Sequence, residues 1–266
     1  MNYLQTRITK RRFLVGLALL LVTTTILFIF RYKILFLFQY SRLYSIECNN
    51  QQTQKDCFEK IWVHRVNSIE RYNELEKSFT GFETDIVYHD AMASFYVFHP
   101  PLKKGSQPIT LDSFLSNTDL HAKQFWFDTR YVDGTNADNA IHALQSIKNA
   151  ETIKKTCIFE LYDLDAAQAF GASGYTVSFN VHPDTISSMI MDSVYYKNVK
   201  NRLEHIAYVS QESDYVQSLE TLFKDKKIIT WHLSFYDYFR MRRISRLVND
   251  NQVAVLLVNI KTSGYQ

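Results

Sequence analysis

Eight short runs rich in β-branched and aromatic residues, separated by stretches of helical periodicity, constrain this chain more than any other feature. The runs are IWVHR (61–65), FETDIVY (82–88), FWFDT (125–129), CIFEL (157–161), YTVSF (175–179), HIAYV (205–209), IITWHL (228–233) and VAVLLV (253–258). That composition predicts strands. Between the first two, Ile69, Tyr72, Leu75 and Phe79 recur at helical spacing. Ala140, Ile141, Leu144 and Ile147 repeat the pattern in a stretch from 136 to 147, and 184–194, 215–223 and 239–248 share it. An eightfold strand–helix alternation predicts an α/β chain folded as a (β/α)8 barrel, with a doubly wound open sheet as the alternative. No Gly-rich phosphate loop follows the first strand, so a nucleotide-binding open sheet is unsupported. A ninth run, SFYVFHP (94–100), follows the second strand after a tight link and reads as its hairpin partner. Pro100, Pro101, Gly105 and Pro108 mark the loop that carries this excursion to about residue 108.

The chain before residue 45 has a different character. It holds seven bases (Arg7, Lys10, Arg11, Arg12, Arg31, Lys33 and Arg42) and no acid, whereas the rest of the 266 residues carries 23 bases and 27 acids. Phe13 to Phe30 is an 18-residue run without a charge. As a helix it would be ~27 Å long, close to the ~30 Å hydrocarbon core of a bilayer. No small-residue cleavage site follows it, which argues against a cleaved leader. The expected organisation is a basic tail (1–12), one transmembrane helix (13–30), a juxtamembrane linker (31–58) and a barrel domain (59–266). Four bases precede the run and three follow it. This slight asymmetry favours a single-pass protein with its C-terminal domain on the non-cytoplasmic side. There Cys48 and Cys57 could close a small loop, although two free thiols fit the sequence equally well. Cys157 lies in an apolar run and reads as a buried strand thiol. A net charge of +3 gives no footprint for nucleic acid.

In a barrel of this kind the chemistry gathers at the C-terminal ends of the strands. The first strand ends in His64-Arg65, the second carries Glu83 and Asp85, the hairpin ends in His99, the third strand ends in Asp128-Thr129-Arg130, and the fourth carries Glu160. Glu83 and Asp85 are two apart, so they share one face of their strand. If that face is the barrel interior, the carboxylates are buried together and need a cation or protons. Asp128 would supply a third oxygen ligand, and three carboxylates with waters suit Mg²⁺ or Ca²⁺. The opposite parity would turn both acids outward and Thr84 and Ile86 inward. His64 and His99 flank the same acids as candidate proton donors or acceptors. Arg65 and Arg130 are candidate phosphate donors.

The set His64-Arg65, Asn67, Glu83-x-Asp85, His99 and a carboxylate-x-cation at the third strand end resembles the glycerophosphodiester phosphodiesterase-like superfamily. The segments WVHRVNS (62–68), FHPP (98–101), TLDSFL (110–115) and FWFDTRYVDGTNADNAIHAL (125–144) are most similar to its menorin-type branch. The resemblance covers about residues 60–260. It implies a metal-assisted cleavage of a phosphodiester, often by internal attack of a neighbouring hydroxyl. His64 and His99 would be the acid/base or nucleophilic pair. Glu83, Asp85 and Asp128 would bind Mg²⁺ or Ca²⁺. Arg65, Arg130, Asn67 and Glu160 would contact the phosphate or substrate. The chain departs from the pattern at three points: Val66 replaces a glycine, Pro100 an aspartate, and Asp128-x-Arg130 a Glu-x-Lys pair. The expected partners are a phosphodiester small molecule or lipid headgroup and a membrane, with no nucleic acid. Asn180, Trp231 and Asn259 lie near later strand ends, where ordinary packing accounts for them as readily as a place in the cavity. Two further readings stand beside this one: a catalytically inactive barrel serving as a binding module, and a glycosidase using Glu83 with Glu160.

Overall fold

The computed structural model describes residues 2–48, 53–102, 104–231 and 241–262. Eight parallel strands close into a barrel: β1 (Ile61–Val63), β2 (Gly81–His89), β5 (Gln124–Arg130), β6 (Cys157–Leu161), β7 (Thr176–Asn180), β8 (Tyr208–Glu212), β9 (Lys227–Trp231) and β10 (Val253–Val258). Closure is made by β1, which pairs in parallel with β10 on one side and β2 on the other. The excursion after β2 is β3 (Ser94–Val97) and β4 (Ile109–Thr110), both antiparallel and stacked outward from β2. The barrel expectation therefore holds, and the open sheet does not.

The helices follow from their caps as much as from their apolar faces. Helix α3 (Ile69–Leu75) starts where the Ser68 hydroxyl accepts from Arg71 N. Helix α5 (Ala137–Gln145) buries Ala140, Ile141 and Leu144 as its spacing predicts. The helix expected over 184–194 is instead two. Helix α8 (Pro183–Met191) ends at Asp192, whose extended backbone and carboxylate cap α9 (Ser193–Arg202). An N-cap residue cannot also continue the preceding helix, which explains the break. Helices α4 (Leu111–Leu115), α6 (Ala150–Thr156), α7 (Leu164–Ala172), α10 (Val216–Leu222) and α11 (Arg242–Asn249) complete the outer layer. The start of the helix expected from 239, and His232 at the end of a predicted strand, lie outside the described residues.

Strand β8 sits three residues later than the run at 205–209 suggests. Ile206 is buried from the loop before the strand. Ser210, Gln211 and Glu212, polar and unremarkable in sequence, form the strand because β7 and β9 supply its ladder. Tertiary pairing overrides local propensity here.

Inside the barrel the N-terminal half is apolar. Trp62, Trp126, Ile158, Ile229, Val255 and Leu257 pack together there. Toward the C-terminal ends the interior turns polar with Glu83, Asp85, Asp128, Glu160, Asn180 and Ser210, all buried. The larger core, between the strands and the helices, holds Phe82, Phe125, Phe127 and Phe159.

Before the barrel come α1 (Asn2–Tyr44) and α2 (Gln54–Glu59). Helix α1 bends by 59° between Val15–Ile26 and Phe30–Tyr44. Among the described residues no single helix is long and apolar enough to cross a membrane, while this bent pair meets the length and composition together. The region expected to be a linker is helical as far as Tyr44 and packs on the barrel. Leu43 is fully buried, and the Tyr40 ring meets Phe58 and Phe79 edge-on. Cys48 and Cys57 form a disulfide with Cα atoms 6.3 Å apart. Cys157 is buried in β6, its thiol pushed up to about 12, chiefly by burial.

Candidate metal centre and active site

The strand register brings the acids to one level. Asp85 on β2 pairs with Asp128 on β5, and Asp128 with Glu160 on β6. Parity turns Glu83 and Asp85 inward, each 1% exposed. Oxygen atoms of Glu83, Asp85 and Asp128 all lie within 4.8 Å of one another. The cavity over them has a volume of about 190 Å³ and reaches His64, Arg65, Arg130 and Trp231 at its walls.

Each acid is held differently. Arg65 has a left-handed φ of 59°, which aims its backbone N–H at Glu83 Oε2, 2.5 Å away. Glu83 Oε1 is buried and accepts from no group among the described residues. Asn67 clamps Asp85: its Nδ2 donates to Oδ2 at 2.7 Å, and its Oδ1 accepts from Asp85 N at 2.9 Å. Asp128 accepts from Arg130 Nη2 at Oδ2 and from the Tyr162 hydroxyl at Oδ1, at 2.9 Å. Arg130 lies over the Tyr162 ring, 4.5 Å from its centroid. Glu160 is fastened by Ser210 Oγ at 2.5 Å, Asn180 Nδ2 at 3.0 Å and the Tyr162 hydroxyl at 3.2 Å.

The histidines complete the set. His64 lies 3.0 Å from Asn259 Oδ1 through Nδ1 and 3.5 Å from Glu83 Oε2 through Nε2. With Nδ1 donating to the amide oxygen, Nε2 is the basic nitrogen facing the acids. Burial first, and then the Arg65 charge, push the imidazole down to about 4, so the ring is neutral at pH 7. His99 Nδ1 sits 2.8 Å from Asp85 Oδ1, its side chain 40% exposed at the mouth.

The electrostatics ask for positive charge. Burial, then Asp85 and Asp128, hold the Glu83 carboxyl well above its usual range. Burial, then Glu160 and Asp85, do the same for Asp128 against the pull of Arg130. Burial raises Glu160 as well, despite its three donors. Burial alone would also raise Asp85, but the hydrogen bonds from His99 and Asn67 outweigh it and hold that carboxyl low. A hard divalent cation fits this donor set: three clustered carboxylates, one with an oxygen that no donor reaches.

All nine residues expected at the site converge there, though not all in the expected posture. Arg130 turns back onto Asp128, and Asn67 locks Asp85. Asn180 and Asn259 are bonded into the cluster, and Trp231 lines the cavity. Sequence reasoning missed Tyr162 and Ser210, which bond the acids, and Glu212, which lines the cavity. Tyr162 lies in the bend directly after β6, beyond the strand, so parity along the strand gave no signal for it. Ser210 and Glu212 carried none once β8 was misplaced.

No protein-family model matches this chain, and no curated protein matches it. Solved structures do. A glycerophosphodiester phosphodiesterase from Thermotoga maritima matches with a TM-score of 0.54 and 16% identity, over 76% of this chain and 94% of that one. One from Parabacteroides distasonis matches at 0.55 and 14% identity, over 76% and 93%. A phosphodiesterase from Oleispira antarctica, in complex with the product sn-glycerol-3-phosphate, matches at 0.52 and 11% identity, over 77% and 95%. At these identities the likeness is one of fold.

Proposed function

We propose that this chain is a membrane-anchored, metal-assisted phosphodiesterase, a hydrolase or lyase acting on a glycerophosphodiester or phospholipid-like substrate. The observation that carries the reading is the cluster of Glu83, Asp85 and Asp128 with His99 bonded to Asp85 on one side and His64 3.5 Å from Glu83 on the other. Glu83, Asp85 and Asp128 would hold a divalent cation, Mg²⁺ or Ca²⁺, which would supply Lewis-acid stabilisation of the charge developing on the phosphoryl oxygens. His64 Nε2 takes the proton of the attacking hydroxyl or water. His99, at the mouth, returns a proton to the leaving oxygen. Arg65 lies at the wall of the cavity, where a guanidinium holds phosphate oxygens. Asn67 and Glu160 position the groups they bond. The motifs at 62–68 and 125–144 favour the menorin-type branch within this reading. The bent helix pair of α1 supplies the anchor, and the Cys48–Cys57 disulfide favours a non-cytoplasmic domain.

A second reading, a binding module without catalysis, is favoured by one feature. Both Asp128 oxygens already accept hydrogen bonds, from Arg130 and Tyr162. Incubating the full chain with Mg²⁺ or Ca²⁺ and following glycerophosphocholine and lysophosphatidylcholine by ³¹P NMR separates the two. Turnover that disappears in Glu83→Ala and His64→Ala supports the enzyme. Metal binding without turnover of any diester supports the module.

A further inference from the structure

The second arm of α1 is tied to the barrel at Gln39 and, three residues past its last helical residue, at Glu47, which fixes its direction. Gln39 Nε2 donates to Asn259 O, and Gln39 Oε1 accepts from Lys261 N, each at 2.9 Å. Asn259 is also the partner of His64, so Gln39 stands level with the acidic site. Farther along, Glu47 O accepts from Asn249, the last residue of α11. Asn249 lies just before β10 begins, at the opposite end of the barrel. The arm therefore runs antiparallel to the strands, and the chain before Gln39 projects beyond the site end.

The heights agree. Nine residues separate Gln39 from Phe30, where the uncharged run ends, which is about 13 Å of helix. Strand β2 overshoots Asp85 by four residues, to His89, about 13 Å of strand. The turn at Asp90–Met92 caps that overshoot. The rim at this end exposes large apolar side chains: Met92 (61%) at the hairpin tip, Leu102 (42%) beyond His99, and Tyr131 (66%) directly after β5. A groove of about 510 Å³ shares Arg65, Asn67 and His99 with the site and is walled by Phe98, Pro101 and Leu102. Exposed apolar side chains around a mouth mark a docking surface, and an amphipathic tyrosine suits the headgroup layer.

We infer that the site end of the barrel rests on the bilayer that holds α1, with Met92, Leu102 and Tyr131 in its headgroup layer, and that the diester cleaved is part of a membrane lipid rather than a free small molecule. The inference builds on the membrane-anchored phosphodiesterase reading. Its occupant is a phospholipid surface because α1, which projects beyond this face, carries the exposed apolar side chains of Leu19, Leu20, Leu21, Val22, Ile26 and Phe28.

The test uses the full chain in phosphatidylcholine nanodiscs containing doxyl-labelled lipid. Met92→Cys, Leu102→Cys and Tyr131→Cys each carry an environment-sensitive fluorophore, with His121→Cys and Lys155→Cys at the far end as controls. Native thiols do not interfere, since Cys48 and Cys57 are bonded and Cys157 is buried. Quenching at the three rim positions and none at the controls is expected. An unquenched rim in discs that hold the chain overturns the docked orientation while the anchor stands. A chain that fails to enter the discs overturns the anchor and this inference together. In a second arm, Met92→Ser/Tyr131→Ser is compared with wild type on lipid vesicles and on glycerophosphocholine. Turnover falling about tenfold on vesicles alone is expected. Equal falls on both substrates, or a quenched rim with no turnover of lipid, overturn the lipid substrate.

Discussion

Trp62 and Gly81 are paired across β1 and β2 so closely that a Cβ on residue 81 would lie 2.3 Å from the Trp62 indole. The indole fills the floor of the barrel beneath the acidic cluster, with its Nε1 donating to Glu59 O at 3.1 Å. Gly81 is therefore required by space, not by backbone freedom. Gly81→Ala must push a ring that Trp126 and Leu257 already confine. We expect it to destabilise the fold by about 1–3 kcal/mol, the usual cost of overpacking. Chemical denaturation measures this. An unchanged midpoint would show that the floor of the barrel has slack.

The acid cluster makes metal binding and stability move in opposite directions. Glu83→Gln removes one of the mutually repelling buried carboxylates and keeps the volume. The metal-free protein should melt at the same temperature or higher, because the substitution relieves repulsion among the buried carboxyls. Saturating Mg²⁺ or Ca²⁺ at a hundred times its Kd should stabilise wild type by about 2.7 kcal/mol and leave the variant unmoved. Thermal melts with EDTA and with each metal read both effects.

Asn67 bonds both the carboxylate and the backbone N–H of Asp85. Removing it in Asn67→Ala leaves all three acids in place but frees Asp85 to turn. Groups that orient a ligand are worth about 10–100-fold in metal affinity. Calorimetric titration should show a weakening of that order. The His99–Asp85 hydrogen bond should loosen too, visible as a changed His99 resonance.

Away from the site, Glu220 and Asp250 share a hydrogen bond. It is the first cause, ahead of burial, of the rise in Glu220 to about 7. Burial alone would raise Asp250, but the bond from Glu220, the backbone N–H groups of Gln252 and Val253 and the Lys60 charge together outweigh it and lower that carboxyl. The signs differ between partners. The raised Glu220 contributes stability that is complete below its usual value of 4.5 and is lost as pH rises through about 7. The lowered Asp250 contributes stability that is present above 3.8 and is lost as the pH falls. Glu220→Gln donates to Asp250 at every pH. Its melting temperature should therefore decline less than that of wild type between pH 5 and pH 8. Parallel curves would show that the pair does not share a proton.

Much of this molecule was legible before any coordinates. Alternating strand and helix patterns are local, set by which side chains tolerate a pleat and which repeat every 3.6 residues, and they were enough for the barrel. The two-residue spacing put Glu83 and Asp85 on one face, although which face waited on the closure of β1 against β2 and β10. Tertiary structure decided the rest, because those features depend on neighbours that only the closed barrel supplies. Strand β8 forms from polar residues that its neighbours hold in register. Asn259 reaches His64 across 195 positions, and Ser210 reaches Glu160 across 50. Arg130 folds back onto Asp128, a choice that only the crowding of buried acids around it explains. The pairing of Cys48 with Cys57 and the docking of Gln39 at the end of β10 depend likewise on how the barrel packs. Sequence determined which groups lie on which elements; packing around a dry, negatively charged interior determined how those groups bond.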